Sequence, residues 1–232
     1  MEFSPDGPSA IPMWVNGHAY LTTGNGLFDV INPATGEAIR RVPLCGAGEV
    51  AVAVEAAEAA QGEWATMPMP ARRLFLGKLA DALEGYAGHF AKLLREECGF
   101  DEARAKSEVA DAVAALNGGQ VGEAGVFGLV LDATRPLAGF AEALAPAVMA
   151  GATVVVKPSP KAPSAVFALC ELSSRTEWPA GVVNLVQGDT AAVEGLCASR
   201  IDRLVFSGNA ALGAQVGAVA AAAGKPFEAK AA

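Results

Sequence analysis

At 232 residues, with 52% hydrophobic and 18% charged side chains, the chain has enough apolar surface to bury a core, which excludes disordered, collagen-like and disulfide-dense classes. Lys plus Arg number 17 against 25 Asp plus Glu, a formal net charge of −8, so a nucleic-acid partner is repelled rather than gathered. Four cysteines, at 45, 98, 170 and 197, show no C-x-x-C spacing and share the chain with only two histidines, which argues for reduced thiols and against a metal site.

Residues 1–13 are rich in Pro, Gly and Ser and read as a flexible arm. Glu2 and Asp6 stand where a secretory leader places basic residues. The uncharged apolar stretch 143–156 is interrupted by Pro146 and Gly151 and is too short to cross a bilayer. A cytoplasmic protein without a membrane partner is expected. From residue 14 to 43 the signals are extended: WVNGHAYL carries an Asn16-Gly17 turn, and FDVINPATGEAIRRVP places Asn32 to Gly36 between two strand-like runs. Both predict antiparallel structure at an edge.

Between about 48 and 117, apolar residues recur at three-to-four spacing, separated by Met67-Pro68-Met69-Pro70, Tyr86-Ala87-Gly88 and Cys98-Gly99-Phe100-Asp101, which are ordinary helix stops and starts. The pattern predicts an amphipathic helical layer covering a sheet, with no chemistry of its own. After Gly118-Gly119 short apolar runs alternate with helical stretches: GVFGLVL, ATVVVK, GVVNLVQG and RLVFSG are each followed by a helix pattern. Continuous apolar strands alternating with helices predict an α/β fold, a Rossmann-like doubly wound parallel sheet, with ligands at the carboxyl ends of its strands. The chain is therefore divided into the arm and one domain, 14–232, whose β edge and helical layer occupy 14–120 and whose βα units occupy 121–232.

Three strand ends carry residues suited to a nucleotide. ATVVV runs into Lys157-Pro158-Ser159, a cationic donor and a hydroxyl, although a solvated turn explains the same residues. RLVF runs into Ser207-Gly208-Asn209, with Gly213 in the next helix, where a helix N-terminus could face a phosphate or Asn209 could serve only as a cap. GVVNLV ends at Gly188-Asp189, open to a close backbone approach or to simple capping. No G-x-G-x-x-G follows a strand, no G-x-S-x-G or H-E-x-x-H occurs, and Gly224-Lys225 lacks the Ser or Thr of a phosphate loop.

Taken in order, WVNGH, FDVINPATGEAIRRVP, GVFGLVL, LAPAVMAGATVVVKPS, WPAGVVNLVQG and LVFSGNAALG resemble the N-terminal half of the aldehyde dehydrogenase superfamily over residues 14–228. The resemblance implies binding of NAD or NADP without the usual glycine fingerprint. It makes Lys157 the ribose-contacting lysine, Ser159 its neighbour, Gly208 and Asn209 counterparts of the glycine and serine of the phosphate-facing F-T-G-S motif, and Gly188 part of the adenine-side loop. Family members often carry Glu after K-P-S to grip both ribose hydroxyls. Pro160 stands there instead, so weak or vestigial cofactor binding is expected.

Other departures bear on catalysis. Family chemistry is thiolate attack on an aldehyde, hydride transfer to nicotinamide and hydrolysis by a Glu-activated water. The nucleophilic cysteine lies in a following domain, and none of Cys45, Cys98, Cys170 or Cys197 lies in its motif. The P-W-N-F-P segment aligns with Asp132 to Pro136, so Thr134 replaces the oxyanion-stabilising Asn, while Asp132 and Arg135 suggest a turn open to solvent or to a polar partner. Glu228 is the nearest counterpart of the general-base glutamate. Only the short run GGQVGEAG stands where the family has its oligomerisation hairpin, and the strand that pairs with that hairpin is missing, as in a matched excision. The expected function is that of a non-catalytic relative that binds NAD(P) weakly and acts through a protein partner or as a homo-oligomer. The alternatives are an aldehyde oxidoreductase component completed by another chain, or a gene remnant.

Overall fold

The computed structural model describes residues 7–231. Asn16 and Gly17 both take positive φ, 52° and 78°, the conformations that let a two-residue turn join right-twisted strands. The turn folds β1 (Met13–Val15) onto β2 (His18–Tyr20). β3 (Leu27–Ile31) and β4 (Ala38–Pro43) form a separate two-stranded sheet, their turn held by Asn32, whose side chain accepts from the Ala34 amide.

The arm expected through residue 13 is anchored from Pro8 onward. Arg41 donates to the Pro8 carbonyl at 3.0 Å, Ile11 N–H donates to the Arg41 carbonyl at 2.7 Å, and Ile11 and Met13 are buried. Residues 1–6 of the expected arm lie outside the described residues.

The helical segment forms α1 (Ala47–Thr66), α2 (Met69–Gly85), α3 (Ala87–Cys98) and α4 (Glu102–Leu116). β5 (Val126–Leu131), α5 (Pro136–Ala150), β6 (Thr153–Lys157), α6 (Ser164–Arg175), β7 (Val183–Leu185), α7 (Thr190–Ala198), β8 (Arg203–Gly208) and α8 (Ala210–Ala222) then alternate. A last strand, β9 (Phe227–Ala231), was not expected from its sequence. The large sheet has the order β2-β1-β7-β6-β5-β8-β9, parallel from β7 to β9 and extended past β7 by the antiparallel β1 and β2.

The helices do not make one layer. Val50, Ala53, Val54 and Ala57 of α1 pack with α7 and α8 on one sheet face, while α2, α3 and α4 cover α5 and α6 on the other. Close approach requires glycine at 181, where a Cβ would stand 2.6 Å from the Ala56 carbonyl oxygen and φ is +83°. At the end of α1, Trp64 reaches the opposite core, stacks on Trp178 with ring centroids 5.7 Å apart, and donates its indole N–H to the Val148 carbonyl at 3.1 Å.

Because each crossover helix follows a parallel strand, the N-termini of α5 to α8 gather at the carboxyl ends of the strands, where their exposed N–H groups and dipoles attract anions. The protein supplies acceptors itself. Glu108 accepts from Leu137 and Ala138 N–H on α5, Glu97 accepts from Ser164 N–H on α6, Asp189 accepts from Ala191 N–H on α7, and Asn209 accepts from Leu212 N–H on α8.

Glu97 also pairs with Arg40 at 3.3 Å and accepts the Ser164 hydroxyl. Burial pushes its carboxyl up to about 6, against the pull of Ser164 and Arg40. The folded state therefore holds this proton more tightly than the unfolded chain. Its contribution to stability is complete below pH 4.5 and is lost as pH rises through about 6. Urea midpoints should lose about 2 kcal/mol of stability from this group between those limits, a loss absent in Glu97→Gln. Equal pH profiles for the two proteins would refute the assignment.

Candidate functional site

The sheet order reverses between β5 and β8: the chain proceeds outward from β5 through β6 to β7, then returns to the other side of β5. In open parallel sheets this switch point opens a crevice outside the carboxyl ends of the strands, the usual place for a ligand. A cavity of about 420 Å³ lies there, bounded by the ends of β5 and β6 and by α7 and α8. Its size suits part of a small organic ligand.

One wall is apolar, built from Val130 of β5, Val193 of α7, and Leu212, Val216 and Val219 of α8. The α8 contribution follows from helical spacing, since residues three and four apart share a face. The polar lining includes Asp132, Lys157, Ser159, Lys161, Asp189 and Asn209. Lys157 ends a fully buried strand and is itself only 5% exposed. Among the described residues its ammonium makes no hydrogen bond or ion pair. Burial pushes its pKa down to about 8, with Asp189 pulling it upward. An unpartnered buried cation lining a cavity is a donor held ready for a ligand acceptor.

The expected site residues divide. Lys157, Ser159 and Asn209 line the one cavity; Gly188, Gly208 and Gly213 do not. Gly188 packs on Cys45, whose backbone N would lie 3.0 Å from an added Cβ, and Gly213 packs on the Phe206 ring at 3.1 Å. A Cβ on Gly208 would stand 2.3 Å from Cγ of Asp132. These glycines admit protein neighbours. The α7 and α8 wall left no signal in the strand ends, and Asp189, which caps α7 as its position allowed, is brought near Lys157 only by the fold.

Asp132 corrects the expectation of an open, solvated turn. It is buried, and it accepts from Thr134 N–H at 2.8 Å, the Thr134 hydroxyl at 2.5 Å, Asn209 N–H at 2.7 Å and the Asn209 amide at 2.8 Å. Arg135 pairs instead with Glu142 at 2.7 and 2.9 Å. A dinucleotide therefore fits the residues present on one side only. A nucleoside end meets an apolar wall and an unpartnered ammonium with Asp189 near it, whereas the α8 end of the switch point holds the Asp132 carboxylate.

No cysteine or histidine lines the cavity. Cys45, Cys170 and Cys197 are buried and Cys98 is half-buried. Burial pushes the thiols of Cys45 and Cys98 up to about 12 and raises those of Cys170 and Cys197 as well, the reverse of nucleophile activation. Glu228 lies away from the cavity, beside a broader hollow of about 860 Å³, where it pairs with Arg203 at 3.4 Å and Lys230 at 3.9 Å. Among the described residues no cluster of His, Cys, Asp and Glu is placed to hold a metal ion, and no helix is long and apolar enough to cross a membrane.

Sequence comparison matches residues 20–118 and 124–231 to the family described as "Aldehyde dehydrogenase family". Lactaldehyde dehydrogenase of Escherichia coli K12 is 29% identical over 92% of this chain and 50% of its own length. The succinate-semialdehyde dehydrogenase of the same organism, designated NADP(+), is 29% identical over 87% of this chain and 47% of its own length. Among solved structures, a protein of Sinorhizobium meliloti 1021 complexed with NAD superposes with a TM-score of 0.90 at 25% identity, over 97% of this chain and 50% of that one. The chain thus spans about half the length of the curated relatives it matches.

Proposed function

The chain belongs to the aldehyde dehydrogenase family, and from that premise we propose that it is a nucleotide-binding unit that holds the adenosine end of NAD or NADP. It oxidises no aldehyde by itself and acts through a protein partner or a second copy. The observation that carries the reading is the unpartnered, buried Lys157 in a cavity with an apolar wall at the switch point of the sheet. When bound, the nicotinamide of such a cofactor supplies a hydride acceptor. The residues of this chain bind and orient: Lys157 donates to a ribose oxygen, Ser159 supplies a hydroxyl beside it, and Val193, Leu212 and Val216 exclude water from a base.

Inactivity of the isolated chain is supported by its thiols, none of which faces the cavity and all of which burial holds in the protonated form. A second reading, an oxidoreductase component completed by another chain, is favoured by β9, whose outer edge is unpaired among the described residues. The hollow of about 860 Å³ reaches Glu228 and Lys230 of that strand.

Calorimetric titration with NAD and NADP tests the site. Binding should weaken by about tenfold or more in Lys157→Ala, the usual consequence of losing a charged donor. No binding of NAD, NADP or adenosine at millimolar concentration would reject the nucleotide reading. Reproducible NAD(P)H formation from aldehydes by the purified chain would reject the non-catalytic one.

A further inference from the structure

We propose that Asp132 is a built-in anion that makes this cavity select an uncharged nucleoside end over a nucleoside diphosphate. The inference rests on the nucleotide reading above and adds the chemical class of ligand that the site accepts.

The strand order places the ligand crevice between the carboxyl ends of β5 and β8. At most such sites the N-terminus of the helix after the strand offers free N–H groups and a positive dipole to a phosphate. Here one carboxylate spans the crevice. Asp132 follows β5, and its Oδ2 accepts both the backbone N–H and the side-chain amide of Asn209, the residue that leads into α8. Its Oδ1 is held by Thr134. The side chain cannot swing aside without losing all four bonds.

Gly208 allows this placement, because any Cβ there would collide with the carboxylate. The cap residue of the helix that would face a phosphate already donates to a fixed negative group. A diphosphate brought to it meets like charge.

The other half of the crevice differs. Lys157 is buried and unpartnered, Asp189 lies near enough to act on its charge, Lys161 stands exposed at the rim, and the wall from α7 and α8 is apolar. The two halves together describe a pocket for a nucleoside whose phosphate is absent or directed away from α8.

The test is calorimetric titration of the full chain with adenosine, ADP and NAD at one ionic strength, repeated with Asp132→Asn. The native protein is expected to bind adenosine at least as tightly as ADP or NAD. Asp132→Asn should gain about tenfold for ADP while adenosine changes less than about twofold. Asp132→Ser serves the same comparison if Asp132→Asn does not fold, and the order of the three ligands on the native chain needs no variant. Tenfold tighter binding of ADP than adenosine by the native chain would overturn the proposal, as would an unchanged preference in a folded variant. Either outcome leaves the nucleotide site standing. Failure of all three ligands to bind would overturn the nucleotide reading itself and this inference with it.

Discussion

Lys157→Met is expected to stabilise the ligand-free protein by about 3 kcal/mol at pH 7 while removing its affinity for nucleoside ligands. The lysine loses most of its hydration on folding and gains no bond in return, which is why its pKa falls from 10.5 to about 8. A depressed lysine pKa means that the folded protein holds the proton less tightly than the unfolded chain. The penalty is complete below about pH 8 and fades as pH rises toward 10.5. Met keeps the unbranched stem and discards the charge, so little packing is lost. The difference in melting temperature between variant and native protein should be largest at pH 7 and shrink by pH 10. A variant less stable than the native chain at pH 7, or an offset independent of pH, would show that Lys157 has a partner or a water-filled surround. The expected trade of stability for a binding group is the usual signature of a functional residue.

The parts of the fold that were legible in the sequence are those governed by local pattern. β5, β6 and β8 are buried along nearly their whole length, so they appear as unbroken apolar runs, and the Asn16-Gly17 turn announces its hairpin by backbone preference alone. β9 was missed because FEAKA carries charges at Glu228 and Lys230 and belongs to an edge strand, where a polar side chain still reaches solvent. The division of the helices between two faces was equally invisible. Helical periodicity shows that a face is buried, not what it is buried against.

The site was legible where a strand delivers a residue directly into it, as β6 does with Lys157. It stayed open where the deciding contact joins distant positions. Asp132 and Asn209 are 77 residues apart, and only their bond shows how each is used. Read locally, Asp132 was a charge needing water or a polar partner, and Asn209 stood at a helix end where it could face a phosphate or serve as a cap. Together they satisfy each other and leave the cavity with one buried charged donor, Lys157, and an exposed one, Lys161, at its rim. The glycines show the same limit, since Gly188, Gly208 and Gly213 each admit a neighbour that only the folded chain supplies.

Gly208→Ala should destabilise the protein by about 3 kcal/mol, combining a strained backbone with lost hydrogen bonds of a charged acceptor. The backbone there has φ of +154°, outside the range L side chains prefer, and the added carbon would lie 2.3 Å from Cγ and 2.8 Å from Cβ of Asp132. Asp132 must then move, and its bonds to Asn209 are the ones it gives up. Backbone strain and side-chain collision can be separated by repeating the substitution in an Asp132→Gly background. If the carboxylate is the obstacle, Gly208→Ala should cost about half as much there, a coupling of about 1 to 2 kcal/mol in a urea-denaturation cycle. Equal cost in both backgrounds would assign the requirement for glycine to φ alone. The end of β8 would then be a strained turn, and its closeness to Asp132 would have no bearing on why residue 208 is glycine.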